Sequence, residues 1–228
     1  MKYIVIGLGN LGRAIACDLT RIGHEVIGID RDMRQVDLIK QEVAGAIALD
    51  STDRIALASL PLSETDGIFV TFGKDFGTSV QTTALLKSLE APHLIVRAIS
   101  PIHETVIRAI GVDEIITPEK DFSHFYTAQT ALGEHFQQWY KVTETEHLYK
   151  VKTPALLVGQ NLGHIDFEEH FNLRLVAIER STQRKNLLGL TQVVQQVIHS
   201  LPPELTIEED DTLLLFGRIE AIERLGKL

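Results

Sequence analysis

Three glycines near the start of the chain have the spacing that a bound diphosphate requires. Residues 2 to 19 read KYIVIGLGNLGRAIACDL, in which the pattern G-x-G-x-x-G follows an apolar run and opens a helical pattern. Gly7 permits the tight turn, Gly9 lets the backbone approach a diphosphate, and Gly12 lets the helix pack closely on the strand. The helix N-terminus then offers N–H groups to phosphate oxygens. The pattern predicts a nucleotide site containing these glycines together with Asn10 and Leu11.

An acidic residue follows this turn at a fitting distance. Asp30 ends the second apolar run, 18 residues after Gly12. A carboxylate at this place hydrogen-bonds the ribose hydroxyl pair and disfavours a 2′-phosphate, so NADP is disfavoured as a ligand. The neighbouring Arg31 leaves NADP as an alternative. The residues therefore predict an adenine nucleotide without deciding which one.

Further candidates follow other predicted strands, since ligands of parallel sheets bind beyond the carboxyl ends of the strands. For two of them, Asp50 and Ser51, capping of the next helix is an equal alternative. Arg97 ends an apolar strand, and a phosphate is its natural partner there. The set is Asp50, Ser51, Thr71, Phe72, Gly73 and Arg97.

One residue is a candidate metal ligand. Thr117, Pro118 and Glu119 read as the N-cap, the first-turn proline and the first-turn acid of a helix. Capping alone accounts for Glu119. The alternative is that its carboxylate holds a divalent cation, Mg²⁺ or Ca²⁺, near the phosphates.

The residue pattern offers no catalytic machinery, so we predict a protein that is not an enzyme and has no catalytic residues. Four histidines after residue 141 are scattered, and none forms a metal pair at i,i+4. Cys17 falls in mid-helix, where packing is its expected role. No G-x-S-x-G elbow is present. A small NAD-dependent oxidoreductase is the alternative, although the proton donor it needs is missing.

The elements that position these residues alternate between strand and helix up to about residue 117. The predicted strands are KYIVIG, EVIGID, AIALD, GIFVTFG, HLIVRAI and EIITP, each followed by a helical pattern. Such units imply right-handed crossovers and a Rossmann-like, doubly wound parallel sheet.

Residues 118 to 140 are predicted to form one helix. Phe122, Phe125, Gln129, Leu132, Phe136 and Trp139 recur at steps of three and four, which makes one face apolar except at the glutamine. The helix either packs on its own sheet or crosses to a second copy of the chain.

The remaining residues predict a small α+β module. The segments HLYKVKTPALLVG, LRLVAIER and DTLLLFG read as strands, and HIDFEEHF and TQVVQQVIHS as short helices. The polar stretch KVTETEH marks a boundary near residues 140 to 147. We therefore predict two domains, residues 1–140 and 141–228.

Composition narrows the class of protein. The 228 residues carry a net charge of −9, which argues against binding to nucleic acid or to an anionic membrane surface, and against a transcription factor. The single cysteine fits a reducing compartment. The apolar run Tyr3 to Ile6 is too short for a signal peptide. We expect a cytoplasmic protein.

Several of these stretches together resemble the RCK family (regulator of conductance of potassium). YIVIGLGNLGRAIACDL, GHEVIGIDRD, GIFVTFG, LIVRAI and above all IGVDEIITPEKD carry the resemblance over residues 1 to about 140, and the C-terminal part, ending EEDDTLLLFG, is similar to the companion RCK C-terminal domain. The likeness extends to the cytosolic regulatory subunits of Ktr/Trk-type potassium uptake systems.

The resemblance implies a nucleotide-sensing gating subunit. Such subunits bind ATP or ADP, and in some members NAD(H), and form homodimers that often build rings of eight beneath a membrane subunit that conducts potassium. The predicted helix over 118–140 matches the family's crossover helix, which joins chains in dimers. Glu119 matches an acid that helps to hold a divalent cation near the ATP phosphates.

Two departures limit what the resemblance implies. Asn10 stands where Ktr-type relatives often have an arginine that reaches a terminal phosphate, so the preference between ATP and ADP is left undecided. The stretch RKNLLGLTQVVQQVIHSLPPEL replaces the usual short hairpin and loop. Binding of cyclic di-AMP, found in some relatives, is therefore not carried over.

Overall fold

The structure, a computed structural model, describes residues 1–185 and 190–227. The chain divides into two compact units, Met1–Pro118 and Glu119–Leu228. None of the helices in the described ranges is both long enough and apolar enough to span a membrane.

The first unit contains a six-stranded parallel sheet, which confirms the predicted Rossmann-like fold. The strand order is β3-β2-β1-β4-β5-β6. Strands β2 and β3 are added on one side of β1 and strands β4 to β6 on the other, so the strand order reverses between β1 and β4. The strands are β1 (Lys2–Ile6), β2 (Glu25–Asp30), β3 (Gly45–Ala48), β4 (Gly67–Val70), β5 (Leu94–Arg97) and β6 (Glu114–Ile116).

Five helices connect these strands, and local sequence determines where most of them begin. Asp32, Asp53, Asp75 and Ser100 accept backbone hydrogen bonds at the starts of α2, α3, α4 and α5. Such caps satisfy N–H groups that have no partner within the helix. The helices are α1 (Asn10–Arg21), α2 (Met33–Ile39), α3 (Arg54–Ala58), α4 (Phe76–Ser88) and α5 (Pro101–Ile110).

The sheet is buried on both faces, as its continuous apolar strands predicted. Val5 and Val26 pack with Ala16 of α1 on one face. Ile4 and Ile68 pack with Leu86 of α4 on the other. The burial of alternate residues on opposite faces fixes the strand register, and with it the positions of the strand ends.

The single helix predicted for residues 118 to 140 is wrong in its second half. Helix α6 (Pro118–Leu132) ends at a short 3₁₀ turn, and strand β7 (Phe136–Lys141) follows. Phe136 and Trp139 therefore lie on a strand, because β7 pairs with a later segment of the chain. Pairing with the neighbouring strand, which follows β7 in the chain, overrides the helical spacing.

The second unit is built on a five-stranded antiparallel sheet with the order β10-β9-β11-β8-β7. Besides β7, its strands are β8 (Glu146–Lys152), β9 (Leu173–Lys185), β10 (Thr191–Ile198) and β11 (Thr212–Arg218), and helices α7 (Phe167–Phe171) and α8 (Ile219–Leu225) accompany α6.

Two further predictions for this unit are corrected. Residues 191–198 form strand β10 rather than a helix, because they pair in register with β9. The predicted strand from residue 147 to 159 ends at Lys152, since Pro154 begins a 3₁₀ turn. Residues 186–189, which belong to the stretch RKNLLGLTQVVQQVIHSLPPEL, lie outside the described residues.

Helix α6 packs within the second unit. Its buried residues Ala128 and Leu132 join Tyr149 of β8 and Ile222 of α8 in one apolar cluster. The sequence interpretation placed this helix in the first domain, whereas the compact units divide at residue 118. The division follows the core to which the helix contributes its apolar residues.

Candidate functional site

The glycine turn joins β1 to α1 at the carboxyl edge of the parallel sheet. Gly7 has φ +94°, a conformation that side-chain-bearing residues rarely adopt. A Cβ on Gly12 would lie 2.0 Å from the carbonyl oxygen of Gly7 and 2.6 Å from Oγ1 of Thr71. A Cβ on Gly9 would meet no atom within 4 Å. The roles predicted for Gly7 and Gly12 are thus visible in the backbone, and Gly9 faces open space.

The first turn of α1 differs from those of α2 to α5 because no side chain of the described residues caps it; its N-cap is Gly9. Like the first turns of α2 to α4, it contains no acidic residue. Asn10 opens the helix with an exposed side chain that accepts a hydrogen bond from Arg13 at 3.1 Å. Leu11 is half-buried. The N–H groups at this end, together with the helix dipole, suit an anion.

Asp30 connects the end of β2 to the glycine turn. One carboxylate oxygen accepts the backbone N–H of Leu8 at 2.8 Å, and the other accepts that of Asp32 at 2.9 Å. The carboxylate therefore holds the turn in place. Each of its oxygens retains a lone pair for a ribose hydroxyl.

Thr71 and Phe72 support the turn from the end of β4. The buried hydroxyl of Thr71 donates to the carbonyl oxygen of Gly7 at 2.6 Å. A Cβ on Gly7 would lie 3.1 Å from the ring of Phe72. Both residues, predicted as ligand contacts, are placed here as supports of the loop that carries the glycines.

Gly73 and Arg97 meet at the next strand ends. A Cβ on Gly73 would lie 2.9 Å from Nη1 of Arg97, so the missing side chain makes room for the guanidinium. Burial lowers the pKa of Arg97. A cation in partly dry surroundings interacts strongly with a phosphate.

The residues that follow β3 have separate roles. Thr52 donates two hydrogen bonds to Asp50, which lower its pKa, and the charge of Arg31 lowers it further. Ser51 is buried, and its hydroxyl lies 2.8 Å from Oγ1 of Thr82. Neither Asp50 nor Ser51 caps α3, because Asp53 does so. The capping alternative for this pair is therefore wrong.

Arg31 is an exposed residue whose charge also lowers the pKa of Asp75, after the larger effect of hydrogen bonds from Thr78. The ends of β2 and β3 and the start of α4 thus share one electrostatic neighbourhood. Asp75 was not among the predicted site residues. Its position three residues before Thr78, a capping pattern, was the available signal.

A buried histidine close to this edge was also missed. Nδ1 of His103 accepts the backbone N–H of Ile99 at 3.2 Å, so its neutral ring carries a proton on Nε2, which has no partner among the described residues. The ring packs on Phe76 with centroids 5.0 Å apart. Burial lowers the pKa of His103.

Glu119, the predicted metal ligand, is an exposed residue in the first turn of α6 and belongs to the second unit. Among the described residues, no group of three or more His, Cys, Asp or Glu side chains is arranged to hold a metal ion. A role for Glu119 in metal binding stays a prediction.

Comparison with known families identifies both units. The TrkA-N domain family matches residues 3–118, just over half of the chain, and the TrkA-C domain family matches residues 147–228. The chain belongs to the TrkA-N family. The order of the two domains agrees with the resemblance to RCK proteins that the sequence carries.

Two relatives of this chain are potassium uptake proteins. The Ktr system potassium uptake protein C of Bacillus subtilis (strain 168) is 28% identical over 99% of this chain and 96% of its own length. The Ktr system potassium uptake protein A of Vibrio alginolyticus is 30% identical over 72% of this chain and 74% of its own length. This TrkA-N protein is therefore a homologue of Ktr proteins along nearly its whole length.

Solved structures confirm the fold. The GsuK channel bound to NAD superposes with a TM-score of 0.57 over 99% of this chain and 39% of the GsuK chain, at 14% identity. GsuK bound to ADP gives 0.51 over 59% of this chain and 35% of the other, at 17% identity. This TrkA-N protein spans less than half the length of the GsuK chains.

Proposed function

We propose that this protein is the regulatory subunit of a potassium uptake system, and that it senses an adenine nucleotide at the glycine turn. The arrangement that carries the proposal is the glycine turn, which Asp30 holds from the end of β2 at the point where the strand order reverses. Homology to Ktr proteins along the chain supports the assignment to a potassium uptake system. The NAD and ADP forms of GsuK support a nucleotide ligand.

The regulatory mechanism is a shift between conformations. A ligand moves such an equilibrium only insofar as it binds one conformation more tightly than the other. ATP and ADP differ by one phosphate, so charged groups near the glycine turn must detect it. Arg97, with the space that Gly73 leaves for it, is the residue we assign to this task.

The proposed site is built on groups at the carboxyl edge of the parallel sheet. The first-turn N–H groups of α1 and Arg97 face the phosphates, and Asp30 binds the ribose. Asp50 and Arg31 line the adenosine side, and Glu119 contributes to a Mg²⁺ or Ca²⁺ site. No covalent bond changes in this scheme.

We infer the partners from the resemblance to the RCK family, and the homology to Ktr proteins supports a potassium transport partner. The chain acts as a homodimer that assembles into a larger ring, up to an octamer, against a membrane subunit that conducts potassium. It lies in the cytoplasm at the inner face of the membrane through that partner.

Thermal-shift titration with ATP, ADP, NAD and NADH, each with and without Mg²⁺ or Ca²⁺, tests the proposal. A ligand that binds only the folded form raises Tm in proportion to its affinity and concentration, so the ranking is direct. We expect at least one adenine nucleotide to raise Tm. Indifference to all four, or turnover of NADH with a simple carbonyl substrate, would refute it.

A further inference from the structure

Strands β9 and β10 extend beyond the rest of their sheet. The pairing of β9 with β11 stops at Glu179, whereas its pairing with β10 continues from Ile178 to Lys185. Residues 180–185 and 191–196 thus form a two-stranded ribbon, which we call the arm. A two-stranded ribbon by itself is at best marginally stable in water. Its length therefore points to a surface that another strand covers.

The outer strand of the arm lacks the usual protection of a sheet edge. β10 is the edge strand and reads TQVVQQVI, with no charged residue and no proline. Val193 is 68% exposed, Val197 43% and Val194 39%. Proteins commonly protect edge strands with lysine, proline or bulges, because the unpaired backbone groups attract another strand.

We propose that β10 pairs antiparallel with β10 of a second copy of this chain, about a two-fold axis at Gln195. In this register Val193 lies opposite Val197 of the second copy, and the reverse pair forms on the other side of the axis. Gln195 lies opposite its own copy. Both valine pairs lie on the same face of the strand, because residues 193, 195 and 197 share one face.

The residue pattern of β10 favours a second copy over an unrelated protein as the occupant. The chain has a net charge of −9, so two copies repel each other wherever acidic surfaces meet, but β10 carries no charge along its eight residues and can approach another β10 without that repulsion. Its valine spacing is complementary to itself, because Val193 and Val197 exchange places across a two-fold axis at Gln195. Because the contact has two-fold symmetry, each copy contributes its β10, and neither β10 edge stays open to a third copy.

The contact is small and separate from the nucleotide site. A pair of single strands buries less than the roughly 800 Å² per partner of a typical stable complex, so we expect it to be weak and concentration-dependent. It involves no residue of the glycine turn, so the proposed contact does not depend on nucleotide binding.

Cysteine cross-linking in the full-length chain tests the register. In a Cys17→Ser background, Gln195→Cys places two thiols directly opposite each other, at a Cα separation of about 4.5–5.5 Å that a disulfide spans. Gln196→Cys is the matched control, since its two copies are diagonal at about 7–8 Å. After mild oxidation we expect a cross-linked dimer from Gln195→Cys, at least about fivefold more than from Gln196→Cys.

A charge variant tests the contact without oxidation. Gln195→Lys places like charges opposite each other, so we expect its association constant in sedimentation experiments to fall at least about tenfold. The nucleotide-induced rise in Tm should be unchanged, which separates this proposal from the proposed function. Equal cross-linking of the two cysteine variants, or none, overturns the proposal.

Discussion

At the scale of single residues, two glycines of the turn meet different requirements: Gly12 is needed for packing of the fold, and Gly9 for approach of a ligand. Gly12 is needed for packing, because a side chain there would overlap the carbonyl oxygen of Gly7. Gly9 has φ −66° and open space around it, so the fold itself tolerates a side chain. What Gly9 provides is close approach of the backbone to a ligand.

We therefore predict opposite phenotypes for two alanine variants. Gly12→Ala should lower the free energy of unfolding by about 3 kcal/mol or more, because the turn must move. Gly9→Ala should leave the Tm of the unliganded protein unchanged or slightly raised. It should weaken the preferred nucleotide about tenfold or more. Denaturant unfolding and calorimetry measure the two effects, and unchanged affinity in Gly9→Ala would contradict the assigned role.

Arg97 is the residue for which we predict an effect on the discrimination between ATP and ADP. Arg97→Ala should lower the affinity for ATP about tenfold or more while it changes the affinity for ADP much less. Gly73→Ala, which displaces the guanidinium, should act in the same direction. Arg108→Ala, which removes an exposed pair with Glu104, is the control. Equal losses for both nucleotides in calorimetry would count against this assignment.

A second residue-scale prediction concerns the buried imidazole of His147 on β8. Its ring stacks on Trp139 with centroids 5.0 Å apart, and neither ring nitrogen has a hydrogen-bond partner among the described residues. Burial lowers the pKa of His147, and electrostatic interactions with His124, Lys141 and Lys120 act in the same direction. Asp121, also nearby, acts in the opposite direction.

The sign of the pH effect follows from this lowered pKa. Unfolded histidine titrates near pH ~6.5, so the neutral buried ring contributes stability above that pH, and the contribution is lost as the pH falls from ~6.5 through the lower folded value. We predict that His147→Phe reduces the loss of Tm between about pH 7.5 and 5.5. His164→Gln, at an exposed position, should retain the wild-type loss. Identical pH profiles for wild type and His147→Phe would contradict the prediction.

At the scale of elements, one ion pair connects β9 of the second unit to the loop before β11. The guanidinium of Arg180 on β9 donates to both carboxylate oxygens of Asp211, at 2.7 and 2.8 Å. It also donates to the carbonyl oxygen of Thr206 and to Glu208. The side chain of Asp211 is fully buried, so water cannot take the place of the Arg180 guanidinium beside it.

Breaking this pair from one side should be costly. We predict that Arg180→Met lowers the free energy of unfolding by about 3–5 kcal/mol, because it leaves a buried carboxylate without its counter-charge. Addition of Asp211→Asn should recover part of the loss. Arg174→Met removes an exposed pair with Glu168 and should cost about 1 kcal/mol or less. Urea denaturation measures all three, and equal losses for the Arg180 and Arg174 variants would refute the argument.

At the scale of the whole molecule, each unit has its own core. Two apolar clusters fill the faces of the parallel sheet, and a third, which includes residues of α6 and α8, fills the second unit. A unit that buries its own apolar surface and satisfies its own strands can fold alone. All residues that position the glycine turn lie before residue 98.

We predict that residues 1–118, expressed alone, unfold in one cooperative transition and, in the absence of divalent cations, rank the nucleotides as the full chain does. Affinity for any nucleotide whose binding needs Glu119 should fall, because that residue is absent from the fragment. Thermal unfolding with and without each nucleotide measures both properties. The same fragment with Gly9→Ala is the control. A fragment that folds cooperatively but binds none of the nucleotides would show that the site needs the second unit.

What the sequence by itself determined is mainly local. The spacing of Gly7, Gly9 and Gly12 and the acid at Asp30 predict the turn, because φ restrictions and close approach act within a few residues. The apolar runs of the first unit likewise predict a parallel sheet, since strands covered on both faces need no polar alternation. Helix caps such as Asp32 and Ser100 follow equally local rules.

Tertiary structure decided the features that depend on strand pairing and on contacts between residues far apart in the sequence. Phe136 and Trp139 keep a helical spacing but lie on β7, because β8 supplies their hydrogen bonds. Residues 191–198 likewise become a strand through pairing with β9. The hydroxyl of Thr71 supports a carbonyl 64 residues away, and Arg180 meets an acid 31 residues away. No local pattern encodes such contacts, because chain folding alone brings these groups within hydrogen-bond distance.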